Sequence, residues 1–164
     1  MIDRAQKYIY IPTFIITHDE LANSLINAKN RGVDVKIIVD ATNINSSRSK
    51  VKILRNADIP LKIENYAGKI HSKSIIIDNK YIIAGSMNFT NSGENKNDEN
   101  SLIIEDYKLA KYYKGFFEYL WEKIPNKYLK QNPPAEGKLS IGSCTDGIDN
   151  DYDGKIDMND ENCK

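Results

Sequence analysis

Two short apolar runs joined by a three-residue turn constrain the fold of this chain more than any other feature. Ser74–Ile77 and Tyr81–Ala84 are rich in isoleucine, and Asp78–Lys80 between them has the composition of a tight turn. Short β-branched and aromatic runs bounded by turn residues are typical of strands. The pattern therefore predicts a buried hairpin whose two outer ends lie side by side.

Polar residues stand at both outer ends of this hairpin. His71 and Lys73 precede the first run, and Gly85, Ser86 and Asn88 follow the second. Side chains two apart in an extended segment point the same way, so His71 and Lys73 share one face. A lone histidine in a hairpin is more often structural. An imidazole, an ammonium, a hydroxyl and an amide around a closely approachable glycine nevertheless suit a phosphate.

The spacing of these polar residues resembles the signature of the phospholipase D superfamily, also called the HKD family. In this sequence the signature consists of His71, Lys73, Asp78, Gly85, Ser86 and Asn88. The resemblance extends over residues 4–125 and is closest to small nuclease-like members with a single motif. It implies an α/β fold, with a mixed, mostly parallel sheet flanked by helices.

The resemblance also implies a role for each motif residue. His71 would attack phosphorus and form a phosphohistidine intermediate, and Lys73 would bind the phosphoryl oxygens. Ser86 and Asn88 match positions that help to hold the phosphate. Asp78 matches a motif carboxylate whose role is expected to be structural rather than chemical. The chain is therefore expected to be a phosphoric diester hydrolase.

A carboxylate is expected just before the next strand, Ser101–Ile104, because family members place one there that hydrogen-bonds the nucleophilic histidine. Glu99 is the candidate, and Asp98 is the nearest alternative. A carboxylate on one ring nitrogen fixes the tautomer and activates the other nitrogen. The competing interpretation is a solvated charge at the start of the strand.

The sequence contains one copy of the motif. The leaving oxygen of a phosphodiester needs a proton, and one motif supplies only one imidazole. His18 has no lysine two places later, so we interpret it as a surface residue at a helix start. We therefore expect a homodimer with a composite site, or a second HKD half in a longer protein. No metal or other cofactor is expected to take part in catalysis.

The rest of residues 1–130 is predicted to form the catalytic domain. Strands are expected at Tyr8–Ile16, Val33–Asp40 and Ile59–Ile63, with helices near residues 21–31 and 46–57. A closing helix, Asp106–Ile124, is expected to bury Leu109, Tyr112, Tyr113, Phe116, Leu120 and Trp121. Family domains begin with a further strand and a full helix, so the chain is expected to be a fragment or a natural truncation.

Composition changes after Lys130, where residues 131–143 read as a linker. Residues 1–132 carry 20 Lys and Arg against 15 Asp and Glu, a net charge of +5. The tail carries 3 against 8, a net charge of −5. The zero net charge of the whole chain is therefore an average over two different parts.

Residues 144–164 are predicted to form a small calcium-binding module. Asp149–Asp160 matches the calcium-loop template, in which alternate oxygen ligands converge on the ion. The expected ligands are the side chains of Asp149, Asp151, Asp153, Asp157 and Asp160, the carbonyl of Lys155, and Asp146 as an additional ligand. A disulfide between Cys144 and Cys163 would order so small a module. The competing interpretation is a disordered acidic tail.

Localisation and substrate follow less directly from the sequence. Calcium and a disulfide favour an extracellular, periplasmic or cell-surface protein, although the chain shows no signal peptide and no apolar run that could span a membrane. The basic catalytic domain favours an endonuclease on DNA or RNA. Its expected cationic cluster comprises Arg48, Lys50, Lys52, Arg55, Lys62 and Lys69. Phospholipid is the alternative substrate, and an inactive fragment or calcium-dependent binding module is the non-enzymatic alternative.

Overall fold

Six strands form one mixed sheet in the computed structural model, which describes residues 1–42 and 44–164 together with the backbone of residue 43. The strands are β1 (Tyr8–Thr13), β2 (Asp34–Val39), β3 (Leu61–Ile63), β4 (Ser74–Ile77), β5 (Tyr81–Gly85) and β6 (Ser101–Glu105). Their order across the sheet is β3-β2-β1-β4-β5-β6. The predicted hairpin is formed by β4 and β5, the two strands around which the polar motif residues lie.

The sheet is mixed, as predicted, but the expectation that it is mostly parallel was wrong. β1 is parallel to β2, and β2 to β3. The β1–β4, β4–β5 and β5–β6 pairs are all antiparallel. Parallel neighbours need long crossovers, whereas the successive strands β4, β5 and β6 are joined by shorter connections and pair in sequence order.

Helices cover both faces of the sheet. They are α1 (Asp19–Asn30), α2 (Val51–Asn56), α3 (Asn91–Asn95) and α4 (Tyr107–Lys123). Leu25 of α1 and Leu54 of α2 pack with Ile9 in the larger buried cluster. Phe117 of α4 packs with Tyr10 in the second cluster, on the other face. Neighbouring β1 residues thus enter opposite cores, which explains the unbroken apolar runs.

The closing helix α4 begins where it was predicted, because the Asp106 side chain accepts a 2.8 Å hydrogen bond from the Leu109 amide. The prediction that all its aromatic residues are buried was wrong. Tyr112 is 76% exposed and Phe116 is 51% exposed, while Phe117 is fully buried. A single-layer surface helix buries only one stripe. Of the helices described, none is both long and apolar enough to cross a bilayer.

The C-terminal module, defined here as residues 133–164, packs onto the domain. Cys144 and Cys163 form a disulfide. Glu136, Ser140 and Ser143 are buried, and Ile141 forms a parallel bridge with Tyr66. The stretch expected to be a linker is therefore largely folded against the domain. Two short 3₁₀ helices, Asp157–Asn159 and Glu161–Cys163, complete the module.

Candidate active site

The outer ends of the β4–β5 hairpin meet beside the carboxyl end of β1. Lys73 forms an antiparallel bridge with Thr13, the last residue of β1. Phe89, just beyond the second end of the hairpin, forms a parallel bridge with Ile16. The sheet therefore brings the His-x-Lys segment and the Gly-Ser-x-Asn segment to one place, as their spacing predicted.

His71 and Lys73 frame the aromatic ring of Phe14. The His71 side chain is exposed, and its ring lies edge-on to Phe14 with 5.0 Å between ring centroids. Lys73 is 8% exposed, and its Nζ lies 5.5 Å from the Phe14 centroid and donates a 2.7 Å hydrogen bond to the His71 carbonyl. Burial lowers the pKa of Lys73, and nearby Glu99 opposes that shift. The site thus joins an accessible imidazole to a partly desolvated cation, whose field acts strongly on an anion.

Gly85 is required by the close approach of β5 to the segment before β6. A Cβ atom at Gly85 would lie 2.1 Å from the Asn100 carbonyl oxygen. The next residue exploits this proximity, because the Ser86 amide donates to the Asn100 carbonyl at 3.1 Å and to its Oδ1 at 3.2 Å. The Asn100 amide in turn donates to Ser86 Oγ at 3.1 Å. Ser86 is therefore held in a fixed orientation at the site.

Glu99 lies within the site but contacts a different partner from the one expected. Its carboxylate accepts hydrogen bonds from Ser86 Oγ at 2.5 Å and from Asn97 Nδ2 at 3.2 Å. These two bonds, and then the charge of Lys73, lower the pKa of Glu99. No hydrogen bond joins Glu99 to His71 among the described residues. The orienting role of Glu99 thus stays a prediction, as does that of its neighbour Asp98, which is exposed.

Asn88, the last residue of the motif, carries a buried side-chain oxygen. Its Oδ1 atom is buried without a hydrogen-bond partner among the residues described. A buried polar atom of this kind is costly unless a ligand or water satisfies it. The observation suits contact with a bound ligand, the role that the motif implies.

Asp78 lies away from these groups, at the turn of the hairpin. Its carboxylate accepts hydrogen bonds from the amides of Gln6, Lys7 and Tyr8 at 2.7, 2.8 and 2.9 Å. These bonds tie the start of β1 to the turn. The geometry gives Asp78 a structural contact rather than a place beside His71.

His18 is less exposed than the sequence suggested. Its Nδ1 atom accepts a hydrogen bond from the Leu21 amide at 3.3 Å, so His18 caps α1. The same ring pairs with Glu94 of α3, and the side chain is 13% exposed. We expected a surface residue because the sequence gives no sign that α3 folds back onto the start of α1.

Acidic side chains of the C-terminal module form two overlapping groups. Oxygen atoms of Asp151, Asp153 and Asp160 lie within 4.8 Å of one another, as do those of Glu136, Asp149 and Asp151. Burial raises the pKa of Asp151, and the neighbouring carboxylates add to that rise. Glu136 was missed because it lies in the stretch interpreted as a linker.

One expected ligand of this loop, Asp157, is placed differently, and the Lys155 carbonyl stays a predicted ligand. The Asp157 carboxylate accepts hydrogen bonds from the amides of Asp146 and Gly147, the shortest at 3.1 Å, and lies outside both acidic groups. Lys155 donates its amide to Asp153 Oδ1 at 2.8 Å. The loop is therefore closed by its own backbone as well as by its carboxylates.

The basic cluster expected to attract nucleic acid is largely engaged in structural contacts. Lys62 is buried and donates to the carbonyls of Trp121 and Ile124, each at 2.7 Å. Arg55 donates to the Tyr128 carbonyl at 2.7 Å, and Lys50 pairs with Asp19. Two further members, Arg48 and Lys52, are exposed. The cluster is a weaker argument for a polyanionic substrate than the sequence suggested.

Comparison with known proteins gives one family and two kinds of relative. Residues 1–121 match the family described as "Cardiolipin synthase, PLD-like domain". "Phospholipase D" of Rickettsia felis is 42% identical over 112 residues, which cover 68% of this chain and 56% of that protein. "Mitochondrial cardiolipin hydrolase" of Xenopus tropicalis is 31% identical, covering 82% of this chain and 64% of that protein. The chain thus spans between half and two thirds of the length of these relatives.

Solved structures with a similar fold include two bacterial proteins. Nuc from Salmonella typhimurium, a phospholipase D family member, is 34% identical with a TM-score of 0.69, and the match covers 76% of this chain and 84% of that one. NucT from Helicobacter pylori is 23% identical with a TM-score of 0.70, covering 75% and 84% of the two chains, and supports the fold alone.

Proposed function

Since this chain belongs to the phospholipase D superfamily, we propose that it hydrolyses phosphodiester bonds at His71. The observation that carries the proposal is the exposed His71 imidazole beside the partly desolvated Lys73 ammonium, with Phe14 between them. An imidazole nitrogen of His71 attacks phosphorus, the bond to the leaving oxygen breaks, and a phosphohistidine forms. Water then cleaves the N–P bond and regenerates the imidazole.

The remaining motif groups stabilise the charge on the phosphoryl oxygens. Lys73 supplies a fixed cation, and Ser86 and Asn88, which follow β5, are proposed to donate hydrogen bonds to the phosphate. Glu99 holds the Ser86 hydroxyl at 2.5 Å and balances the charge of Lys73. Since Lys73 provides the positive charge, we propose that turnover proceeds without a divalent metal ion.

We propose a homodimer as the active form, in which His71 of a second copy protonates the leaving oxygen. The sequence given has two histidines, and the ring of His18 already caps α1 and pairs with Glu94. His71 is therefore the histidine that can supply the proton. A second HKD half in a longer protein is the alternative source of the acid. Sedimentation of the purified chain at several concentrations, compared with specific activity, distinguishes the two.

Nucleic acid is the first substrate we propose. The net charge of residues 1–132 is +5, and the exposed position of His71 admits a long polymer.

Phospholipid is a second candidate, and one observation favours it. The outer face of α4 exposes Tyr112, Phe116 and Tyr119, with Lys108 and Lys111 beside them. Aromatic and lysine side chains on one helix face suit an anionic lipid surface. The sequence predicted Tyr112 and Phe116 to be buried, so this candidate rests on the structure and not on the sequence pattern.

The experiment that tests the function measures hydrolysis by the purified protein in excess EDTA. A chromogenic phosphodiester, single-stranded DNA, RNA and vesicles of phosphatidylcholine or cardiolipin are supplied in parallel. We expect turnover of the chromogenic diester and of nucleic acid, and loss of both in His71→Asn. Turnover only after Mg²⁺ is added contradicts the metal-independent site, and a dimer without turnover favours a binding-only fragment.

For the C-terminal module we propose calcium binding and an oxidising, extracytoplasmic location. The converging oxygens of Asp151, Asp153 and Asp160, and the Cys144–Cys163 disulfide, support these two points. Calorimetric titration with CaCl₂ is expected to give a binding isotherm that Asp151→Asn weakens by about tenfold or more. Wild-type protein that gives no isotherm contradicts the proposal, and Asp98→Asn is a matched control outside the module.

A further inference from the structure

The segment that leads to His71 takes much of its backbone pairing from the C-terminal module. This segment, the His71 loop, comprises Asn65–Ile70 and lies between β3 and the hairpin. The Ile141 amide donates to the Asn65 carbonyl at 2.7 Å, and the Ala67 amide donates to the Ile141 carbonyl at 2.9 Å. Asn65 Nδ2 also donates to the Leu139 carbonyl at 3.2 Å. The loop is thus paired with residues more than seventy positions away in the sequence.

Asn150 and Lys69 form a second connection between the loop and the module. Asn150 Nδ2 donates to the Ala67 carbonyl at 3.3 Å. Lys69 Nζ donates to the Asn150 carbonyl at 2.6 Å and to Thr42 Oγ1 at 2.9 Å. The same ammonium lies 4.4 Å from the ring centroid of Tyr152. The module therefore binds the loop through hydrogen bonds to the loop backbone and through Lys69, a residue of the loop.

Asn150 is itself rigidly held within the module. It is buried, and its amide donates to Glu136 Oε2 at 2.7 Å. The other oxygen of Glu136 accepts from the Asp157 amide at 2.5 Å, and the Glu136 side chain is fully buried. The Cys144–Cys163 disulfide closes the same stretch of chain. The contact on Ala67 is made by a fixed group rather than by a mobile tail.

The domain also holds the His71 loop through two buried carboxyl groups, those of Glu64 and Asp40. Glu64 Oε1 accepts from the Tyr66 amide at 2.5 Å, and Asp40 Oδ2 accepts from the Ile70 amide at 3.2 Å. His71 follows Ile70 directly. The backbone position of His71 is thus set both by these two carboxyl groups and by the module.

We propose that the C-terminal module is a clamp that positions His71, with Asn150 and Lys69 as positioning residues. This inference rests on the proposed function, because it assigns the module a role in the step that His71 performs. A loop with few internal hydrogen bonds opens readily when its outside partners are removed. Small displacements of a nucleophile lower the rate steeply without changing ground-state binding.

The test compares Asn150→Ala with the matched control Asn159→Ala, an exposed position in the same module. Amide hydrogen exchange is measured on peptides covering residues 65–73, and kcat and KM on the chromogenic phosphodiester. For Asn150→Ala we expect faster exchange in the loop and a kcat lowered by about tenfold, with KM within about twofold of wild type. Asn159→Ala is expected to match the wild type in all three quantities.

A second pair of variants keeps the test decisive if Asn150→Ala disturbs the module. Lys69→Met removes the donor to the Asn150 carbonyl, and Lys69→Arg retains one. We expect kcat to fall in Lys69→Met and to recover in Lys69→Arg, with KM steady in both. A rise in KM alone would make Lys69 a substrate contact and overturn the clamp.

Failure of the clamp and failure of the proposed function give different results. Fast loop exchange with unchanged kcat, or unchanged exchange in both Asn150→Ala and Lys69→Met, overturns the clamp while leaving the hydrolase intact. A wild type that hydrolyses no phosphodiester overturns the function and, with it, the positioning of a nucleophile. The exchange data then still decide whether the module holds the loop, because they need no turnover.

Discussion

The β4–β5 hairpin and the C-terminal module both gather polar residues, but they are ordered by different means. Ile76 and Ile82 of the hairpin are completely buried, so the strands are fixed by apolar packing. The module relies on a disulfide, on Glu136 and on hydrogen bonds to its own backbone. Apolar packing leaves the groups at the hairpin's ends available for chemistry. The module instead uses many of its polar groups to hold its own fold.

The largest effect is expected at His71, whose side chain takes part in the reaction but contributes little to the stability of the fold. His71→Asn should lower kcat by about a thousandfold or more, because it removes the nucleophile. Its melting temperature should stay within a few degrees of wild type, since the side chain is exposed. Activity and thermal unfolding measured on one preparation check both statements. His18→Asn is the control, and equal losses in the two variants would contradict the assignment.

The disulfide provides the next largest effect, confined to the module. Replacing Cys144 and Cys163 by alanine should cost the module about 3 kcal/mol, because the cross-link closes a loop of 19 residues' separation. Protease sensitivity should rise within residues 144–163. Exchange protection of β4 amides should change little. If β4 loses protection as strongly as the module, the two regions do not differ as proposed.

The free energy of unfolding is expected to depend on pH through Glu64, whose carboxyl group holds the His71 loop. Burial raises the pKa of Glu64 to about 8 from 4.5, with Asp40 adding to the rise and Lys69 opposing it. A raised carboxyl pKa stabilises the fold fully below pH 4.5, and this stability is lost as pH rises through about 8. Glu64→Gln should therefore flatten this slope, which is about 1.4 kcal/mol per pH unit within that window. Urea unfolding at a series of pH values measures it, and parallel slopes in both proteins would refute the assignment.

The smallest effect should come from a methyl group at Gly85. Gly85→Ala forces the end of β5 away from Asn100, and overpacking of this kind costs about 2 kcal/mol. Because Ser86 and Glu99 meet at the same point, we also expect turnover to fall. Gly115→Ala, with open space around the added carbon, is the control and should be neutral or slightly stabilising. Denaturant unfolding and turnover are measured on the wild type, Gly85→Ala and Gly115→Ala to check these expectations.

Features that depend on the local sequence pattern could be predicted from the sequence. The hairpin follows from two isoleucine runs and a turn, and the mixed sheet flanked by helices is confirmed. Contacts between distant segments could not be predicted in this way. Lys62 looks like a surface cation until the end of α4 supplies the carbonyls of Trp121 and Ile124 to it. Glu136 likewise looks like a linker residue in the sequence, and only the structure shows that it accepts hydrogen bonds from the amides of Asn150 and Asp157.

The hydrogen bonds of Asp78 also bear on the order in which the chain folds. They connect Tyr8, the first residue of β1, and the two residues before it to a residue 70 to 72 positions later, and β1 lies inside the sheet between β2 and β4. Contacts of such long sequence separation form only after the entropy of closing a large loop has been overcome. During synthesis, β1 can therefore complete its pairing only once the β4–β5 turn has left the ribosome. β1 is made before the other five strands of this sheet, and it is thus among the last to be secured.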